Sequence, residues 1–328
     1  MAAAPVKDVM FASGSSHQAE NLPDWHTPFQ NYHGPRRMQS RTRPEKDLEI
    51  LKALKSLAKK RFHTYRVSPL HMFSYPCLQD YAQMLDAHLE AVVKSAGDPT
   101  TNSGFHTKIS VLPGLAIGQR DPEAIYIQIF RTQEQKRPAW EGLLCCVEPE
   151  QSHLKTVRMP FVLLPLLLVH GLQKFTTAWI TWLERTFDCC ISPLVIPSCE
   201  LAWMAAMWTG TAVSVPRSLD MEWFAPSVPD GLHITISVKW SDALRLWDCV
   251  HTSGEDEVMA QEVALFKQGL EEHFFHHFRV ILSAMILQSV SSGVASAHNS
   301  GHIKLFDVQN IPCTLRLLTE IALQGFSG

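Results

Sequence analysis

The residues best suited to chemistry stand together in His273-Phe274-Phe275-His276-His277. Histidines four apart share one side of a helix, so His273 and His277 could clasp a metal ion. The glutamate of HExxH is absent between them, and the further ligands a metal site needs cannot be placed. A helix whose last turn carries histidines against the negative end of its dipole is the preferred reading. Two adjacent pairs, Cys145 with Cys146 and Cys189 with Cys190, offer thiolates to zinc with His170 or His298. Structural zinc sites space cysteines as CxxC so that both reach one ion, whereas neighbours on a strand point to opposite faces. These cysteines therefore read as small apolar residues in or beside a core, reduced in a chain of this length. The glycines form none of GxGxxG, GxxxxGKS, GxxxxGKT or GxSxG, so nucleotide enzymes and α/β-hydrolases lose their usual anchors. No catalytic residue, metal ligand or cofactor is assigned, and no enzyme activity is expected.

The elements that would position such residues follow from periodicity. With 46% of 328 residues apolar, the chain can bury one large core or two modest ones. A net charge of −3 excludes a uniformly basic surface, so nucleic-acid contact would need a local patch. Residues 1–44 mix Gly, Ser, Pro, His and Arg without an apolar period, and include Pro35-Arg36-Arg37, Arg41 and Arg43; they read as a disordered basic tail. Thr27-Pro28 could accept a phosphate there, though a solvated tail is preferred. The tail lacks a secretory apolar run, and the greasy stretch 161–169 is broken by Pro165 at about half a membrane span. A soluble intracellular protein with no membrane contact is expected.

From Glu45, the recurrence of Leu48, Leu51, Leu54, Ala58 and Phe62 predicts an amphipathic helix with Lys52, Lys55, Lys59 and Lys60 on its other faces. Those lysines could track phosphates, although a solvated helix face is preferred. A second helix follows Pro76, and alternating runs between 105 and 147 predict antiparallel strands. Residues 173–187 are helical in period, and 201–208 form a dense apolar segment. The prolines of 216–229 mark a boundary or long connection. Beyond it come a strand at 232–238, a helix capped by Ser241, a helix over 255–277, β-like runs at 278–289, 292–297 and 303–308, and a helix over 312–323. The class is α+β, with antiparallel or mixed sheets flanked by helices. Two subdomains, 45–225 and 226–328, follow the tail.

Several stretches spanning about 68–322 resemble the centromere protein L family. They are Ser68-Pro69-Leu70-His71-Met72-Phe73-Ser74-Tyr75, Gln119-Arg120-Asp121-Pro122-Glu123-Ala124, and Thr186-Phe187-Asp188-Cys189 with Ser192-Pro193-Leu194. Further stretches are Trp203-Met204-Ala205-Ala206-Met207-Trp208-Thr209, Leu246-Trp247-Asp248 with Val250-His251, and Val294-Ala295-Ser296-Ala297-His298 leading to Ile303-Lys304. The resemblance implies a non-enzymatic nuclear subunit of the inner kinetochore, within the constitutive centromere-associated network on the centromeric nucleosome. It also implies a heterodimer with centromere protein N made by the C-terminal portion, and a basic groove, shared by the pair, that embraces centromeric DNA.

Partner-interface candidates are accordingly Val290, Val294, Ile303, Leu305, Leu315 and Leu318, because short strands with exposed edges can extend a partner's sheet. Phosphate neutralisation needs only cations, so the DNA-contact candidates are Lys304 first, then His302 and Arg279, with Arg120, Lys155 and Arg158 behind them. Two places depart from the family: Met285-Ile286-Leu287-Gln288 stands where arginines are expected, and His302 replaces a basic residue. An intracellular scaffold without DNA contact is the alternative.

Overall fold

A computed structural model describes residues 36–37, 48–95, 104–116, 121–132, 137–147, 160–211, 213, 215, 217–226, 231–251 and 257–324. Its first half contains β1 (Arg36–Arg37), α1 (Leu48–Lys55), β2 (Arg61–Val67), β3 (Leu70–His71), α2 (Leu78–Ser95), β4 (Phe105–Leu112), β5 (Ala124–Arg131) and β6 (Trp140–Cys145). Next come β7 (Phe161–Val162), β8 (Leu166–Gly171), α3 (Gln173–Phe187), β9 (Ile191–Pro193) and α4 (Ser198–Gly210). The rest is β10 (Leu219–Ala225), β11 (Leu232–Val238), α5 (Trp240–Val250), β12 (Glu257–Val258), α6 (Ala260–Phe278), β13 (Ile286–Ser291), β14 (Ala295–His298), β15 (His302–Leu305) and α7 (Ile311–Gln324).

The 11-stranded sheet has the order β11-β10-β13-β14-β15-β2-β8-β6-β5-β4, with β9 also beside β2. Its pairings among the described residues are all antiparallel. The α+β class read from the sequence is therefore the observed one. The position between 225 and 226 falls at the end of β10, which pairs with β11 on one side and β13 on the other. One hydrogen-bonded sheet thus runs through both expected subdomains.

Alternation along each strand decides which helices cover which face. Ile125, Ile127 and Ile129 of β5, Trp140 and Leu144 of β6, and Leu167 and Val169 of β8 turn toward α2 and α3. There α3 supplies Phe175, Trp179, Trp182 and Leu183 at helical spacing, with Trp179 5.6 Å from Trp140. On the other face α4 packs on β13 and β14, and α7 on β2 and β8. Buried on nearly every side, α4 carries Trp203 and Trp208 and has α5 and α6 packed against it.

Several expectations change. The first predicted helix stops at Lys55; Lys59 adopts φ 65°, and the chain enters β2, where Phe62 is a buried strand residue. The proline-rich stretch contains β10, and Lys239 rather than Ser241 is the N-cap of α5. The helix expected from 255 begins at Ala260, after β12. The C-terminal strands β13, β14 and β15 lie in the middle of the sheet with both sides paired, so their edges are not free. Gly301 turns β14 into β15 at φ 80°, where a Cβ would sit 2.3 Å from the Leu194 carbonyl oxygen. Of the expected tail, Arg36 and Arg37 are described, as a strand paired with Val258 and Glu257; Thr27-Pro28, Arg41 and Arg43 lie outside the described residues.

Cys145 and Cys146 are both buried, and burial pushes the Cys146 thiol up to about 12. No helix among the described residues is long and apolar enough to cross a membrane.

Candidate nucleic-acid interface

Strand alternation in the C-terminal half leaves one sheet face polar. Asp220, Glu222, Ser289, Ser291, Ser296, His298, His302 and Lys304 are half-buried there, while Leu219, Met221, Val290, Ala297, Ile303 and Leu305 turn to the opposite, buried face. At the β15 end of this face lies a cleft of about 680 Å³ lined by Leu51, Lys55, Lys59, Val215, Arg217, Gly293, Lys304, Phe306, Asp307, Val308 and Gln309. Its cations come from separate parts of the chain: α1, the turn before β2, the segment before β10, and β15.

Each cation has a structural reason for its place. The Lys59 backbone N–H donates to the Leu305 carbonyl at 2.7 Å, tying its left-handed turn to β15. Arg217 Cζ and Lys304 Nζ lie 5.0 and 5.4 Å from the centroid of the same Phe306 ring, a cation–π arrangement that holds both side chains beside the cleft. The one lining carboxylate, Asp307, is 93% buried and accepts from Gln309 N–H and Asn310 Nδ2 at 3.2 and 3.0 Å. Its charge is engaged with the turn leading into α7, which leaves the cations dominant at the opening.

His302 stands apart from the cleft, with its ring 4.1 Å from His63 and 6.2 Å from His298. Ser300 N–H donates to His298 Nδ1 at 3.1 Å, so that nitrogen is an acceptor. The Ser300 hydroxyl, 2.7 Å from both His298 Nδ1 and His302 Nδ1, can then donate to the first and accept from the second. Burial lowers the His302 pKa, helped by the charges of His63, Arg61 and His298. The charged form of His302 is thus disfavoured where it stands, which sets it behind Lys304 as a phosphate-neutralising group. Replacing His63→Gln is expected to move the His302 titration upward toward the ordinary histidine range, read from imidazole NMR shifts against pH. An unmoved titration would show that His63 does not act on it.

Among the other candidates, Arg279 is exposed at the left-handed C-cap of α6, 5.7 Å from the Phe275 ring, and does not line the cleft. Arg120, Lys155 and Arg158 lie outside the described residues. Arg217 was missed because it sits in a proline-flanked stretch that reads as a connection. Lys55 and Lys59 were visible only as lysines of an amphipathic helix.

Val290, Val294, Ile303, Leu305, Leu315 and Leu318 are all at most 2% exposed. They hold the sheet to its covering helices and present no surface, which corrects their reading as direct partner contacts. The exposed apolar side chains nearby are Phe278, Ile281 and Ile286, on the run from α6 into β13, and Leu232 on the edge strand β11. Ile286 is in register with Phe224 on β10, and Phe224 with His233 on β11, so these residues share one end of the sheet.

His273 and His277 have ring centroids 4.4 Å apart, with His277 Nδ1 2.8 Å from the His273 carbonyl oxygen. Among the described residues, no group of three or more His, Cys, Asp or Glu side chains could hold a metal ion.

The described residues thus define an α+β protein of the surface-presenting kind: a helix-backed antiparallel sheet with a cation-lined cleft and an apolar rim. Within that class, the chain belongs to the centromere protein L family, whose model matches residues 56–323. It is 38% identical to centromere protein L of Rattus norvegicus over 276 residues, covering 81% of this chain and 79% of the relative. It is 37% identical to the Xenopus tropicalis protein over 311 residues, 92% of this chain and 88% of the relative. Identity to the Homo sapiens protein is 37% over 276 residues, 81% and 80% respectively. Membership gives the chain a centromere and kinetochore role on the nuclear chromosome, in a family of structural kinetochore proteins.

Proposed function

We propose that the chain is a non-enzymatic inner-kinetochore subunit that forms a heterodimer with centromere protein N and lends a wall of a shared basic groove to centromeric DNA. In this reading it stands beside other subunits of the constitutive centromere-associated network and serves kinetochore assembly and chromosome segregation. The region 226–328 carries the pairing surface, at the sheet end where Phe278, Ile281, Ile286 and Leu232 are exposed. The observation that supports the DNA contact best is the gathering of Lys55, Lys59, Arg217 and Lys304 around one cleft in a chain of net charge −3. Backbone neutralisation needs no base-reading geometry, and cations brought from several elements track phosphates as well as those of one helix.

The test is duplex DNA affinity over a salt series for wild type, Arg217→Gln, Lys304→Gln and the exposed control Arg245→Gln. Each cleft variant is expected to weaken binding uniformly across sequences and to reduce the log–log salt slope by about 1, with the control unchanged. Slopes identical to wild type would remove DNA from the reading and favour the interaction scaffold without DNA contact. That second reading has Asp220 and Glu222 on the same open face in its favour, since carboxylates there repel phosphates.

A further inference from the structure

We propose that Arg36 is a clasp that positions α1 and, through it, the Lys55 and Lys59 side of the cleft; only this last consequence rests on the DNA reading above. Arg36 is only 8% exposed, although it sits in a short basic stretch that reads as solvated tail. Its guanidinium makes a fork to Glu200, with Nη1 2.7 Å from Oε2 and Nη2 3.1 Å from Oε1. Nε lies 3.0 Å from Glu320 Oε2, and Cζ is 4.6 Å from the Trp203 ring centroid. The backbones of Arg36 and Arg37 pair with Val258 and Glu257. One residue thus joins the N-terminal segment to α4, α7 and β12. Glu200 is fully buried, and a planar fork satisfies both its oxygens as a lysine ammonium cannot.

The same segment is held a second time. Downstream of Arg36, α1 packs against the turn Val308–Asn310 that leads into α7. The N-terminal segment is therefore pinned toward the end of α7 at Glu320 and again at its start. With 8 residues, α1 is too short to hold its helix alone, and its place depends on the contacts on either side of it.

The test is hydrogen exchange by mass spectrometry on the full chain. In Arg36→Met, amides of 48–55 are expected to exchange faster by about tenfold or more, while β5 and β6 keep wild-type protection. Adding Glu200→Gln removes the buried carboxylate that has lost its guanidinium, so thermal stability should recover while α1 stays fast. A merely structural Arg36 would see α1 protection recover together with stability, and that outcome overturns the clasp. Wild-type protection of α1 in Arg36→Met overturns it as well. If Arg36→Met does not stay soluble, Arg36→Lys carries the same test with a smaller rise in the same amides. DNA affinity separates the two readings: faster α1 exchange with weaker DNA binding supports both, and faster exchange with unchanged DNA binding supports the clasp while the groove fails.

Discussion

Co-expressed with centromere protein N, the wild-type chain is expected to elute from size exclusion as a one-to-one complex, and the double variant Ile281→Glu with Ile286→Glu to elute alone. Ile281 is 59% exposed and Ile286 44%, beside Phe278 at 64%. Clustered apolar side chains at a sheet end gain most by being covered, and a carboxylate placed among them would be desolvated without a partner. A loss on the order of 100-fold in Kd or more is expected, about 2.8 kcal/mol at roughly 1.4 per tenfold. Because both side chains face solvent in the isolated chain, the melting temperature should hold, and light scattering should report a folded single species. A complex that survives the double substitution would move the pairing surface elsewhere. Truncation after 278 is a poorer test: it removes β13, β14 and β15 from the middle of the sheet, so lost pairing would report lost folding.

What was legible in the sequence was whatever a local period expresses. Phe175, Trp179, Trp182 and Leu183 repeat at helical steps and mark α3, while Ile125, Ile127 and Ile129 alternate and mark β5. The start of β2 was hidden because Leu54, Ala58 and Phe62 continue a helical step of four, while Phe62 and Thr64 begin a strand step of two. The left-handed turn at Lys59 separates the two periods, and lysine carries none of the usual turn signature. Strand order was illegible for a different reason. Thr64 bonds the Gly301 carbonyl oxygen across 237 positions, and no local pattern encodes such a pairing. The cleft was legible at Lys304, through its family resemblance, but not at Arg217. Arg36 was hidden most completely: its partner Glu200 is 164 positions away, just ahead of the apolar segment 201–208.

Replacing Lys60→Met should be among the most destabilising single changes near the cleft. Glu141, only 3% exposed on β6, accepts from the Tyr126 hydroxyl, from Lys60 Nζ at 2.5 Å and from Gln128 Nε2 at 3.4 Å. Without the ammonium a buried carboxylate would be left with neutral donors, a situation that costs about 3 to 5 kcal/mol. Lys60 keeps 28% of its side chain in contact with solvent, so the lower end is expected. In a chain of this size that lowers Tm by about 4 to 5 °C in a calorimetric scan. Combining Lys60→Met with Glu141→Gln removes both charges and should recover most of the loss, whereas a Lys60→Met melt within a degree of wild type would show the pair to be worth little.

The pH dependence has a fixed sign. Burial, then Glu141, raises the Tyr126 pKa above the ordinary phenol range, so the stability this tyrosine contributes is complete below that range and lost as pH rises through and beyond it. Neutral pH therefore isolates the Lys60–Glu141 pair. Since Lys60 immediately follows the left-handed Lys59, loosening it frees the turn that aims Lys59 at the cleft. The same variant should accordingly weaken DNA binding beyond what neutralising the partly shielded Lys60 charge would do, and the Glu141→Gln partner variant should restore that excess.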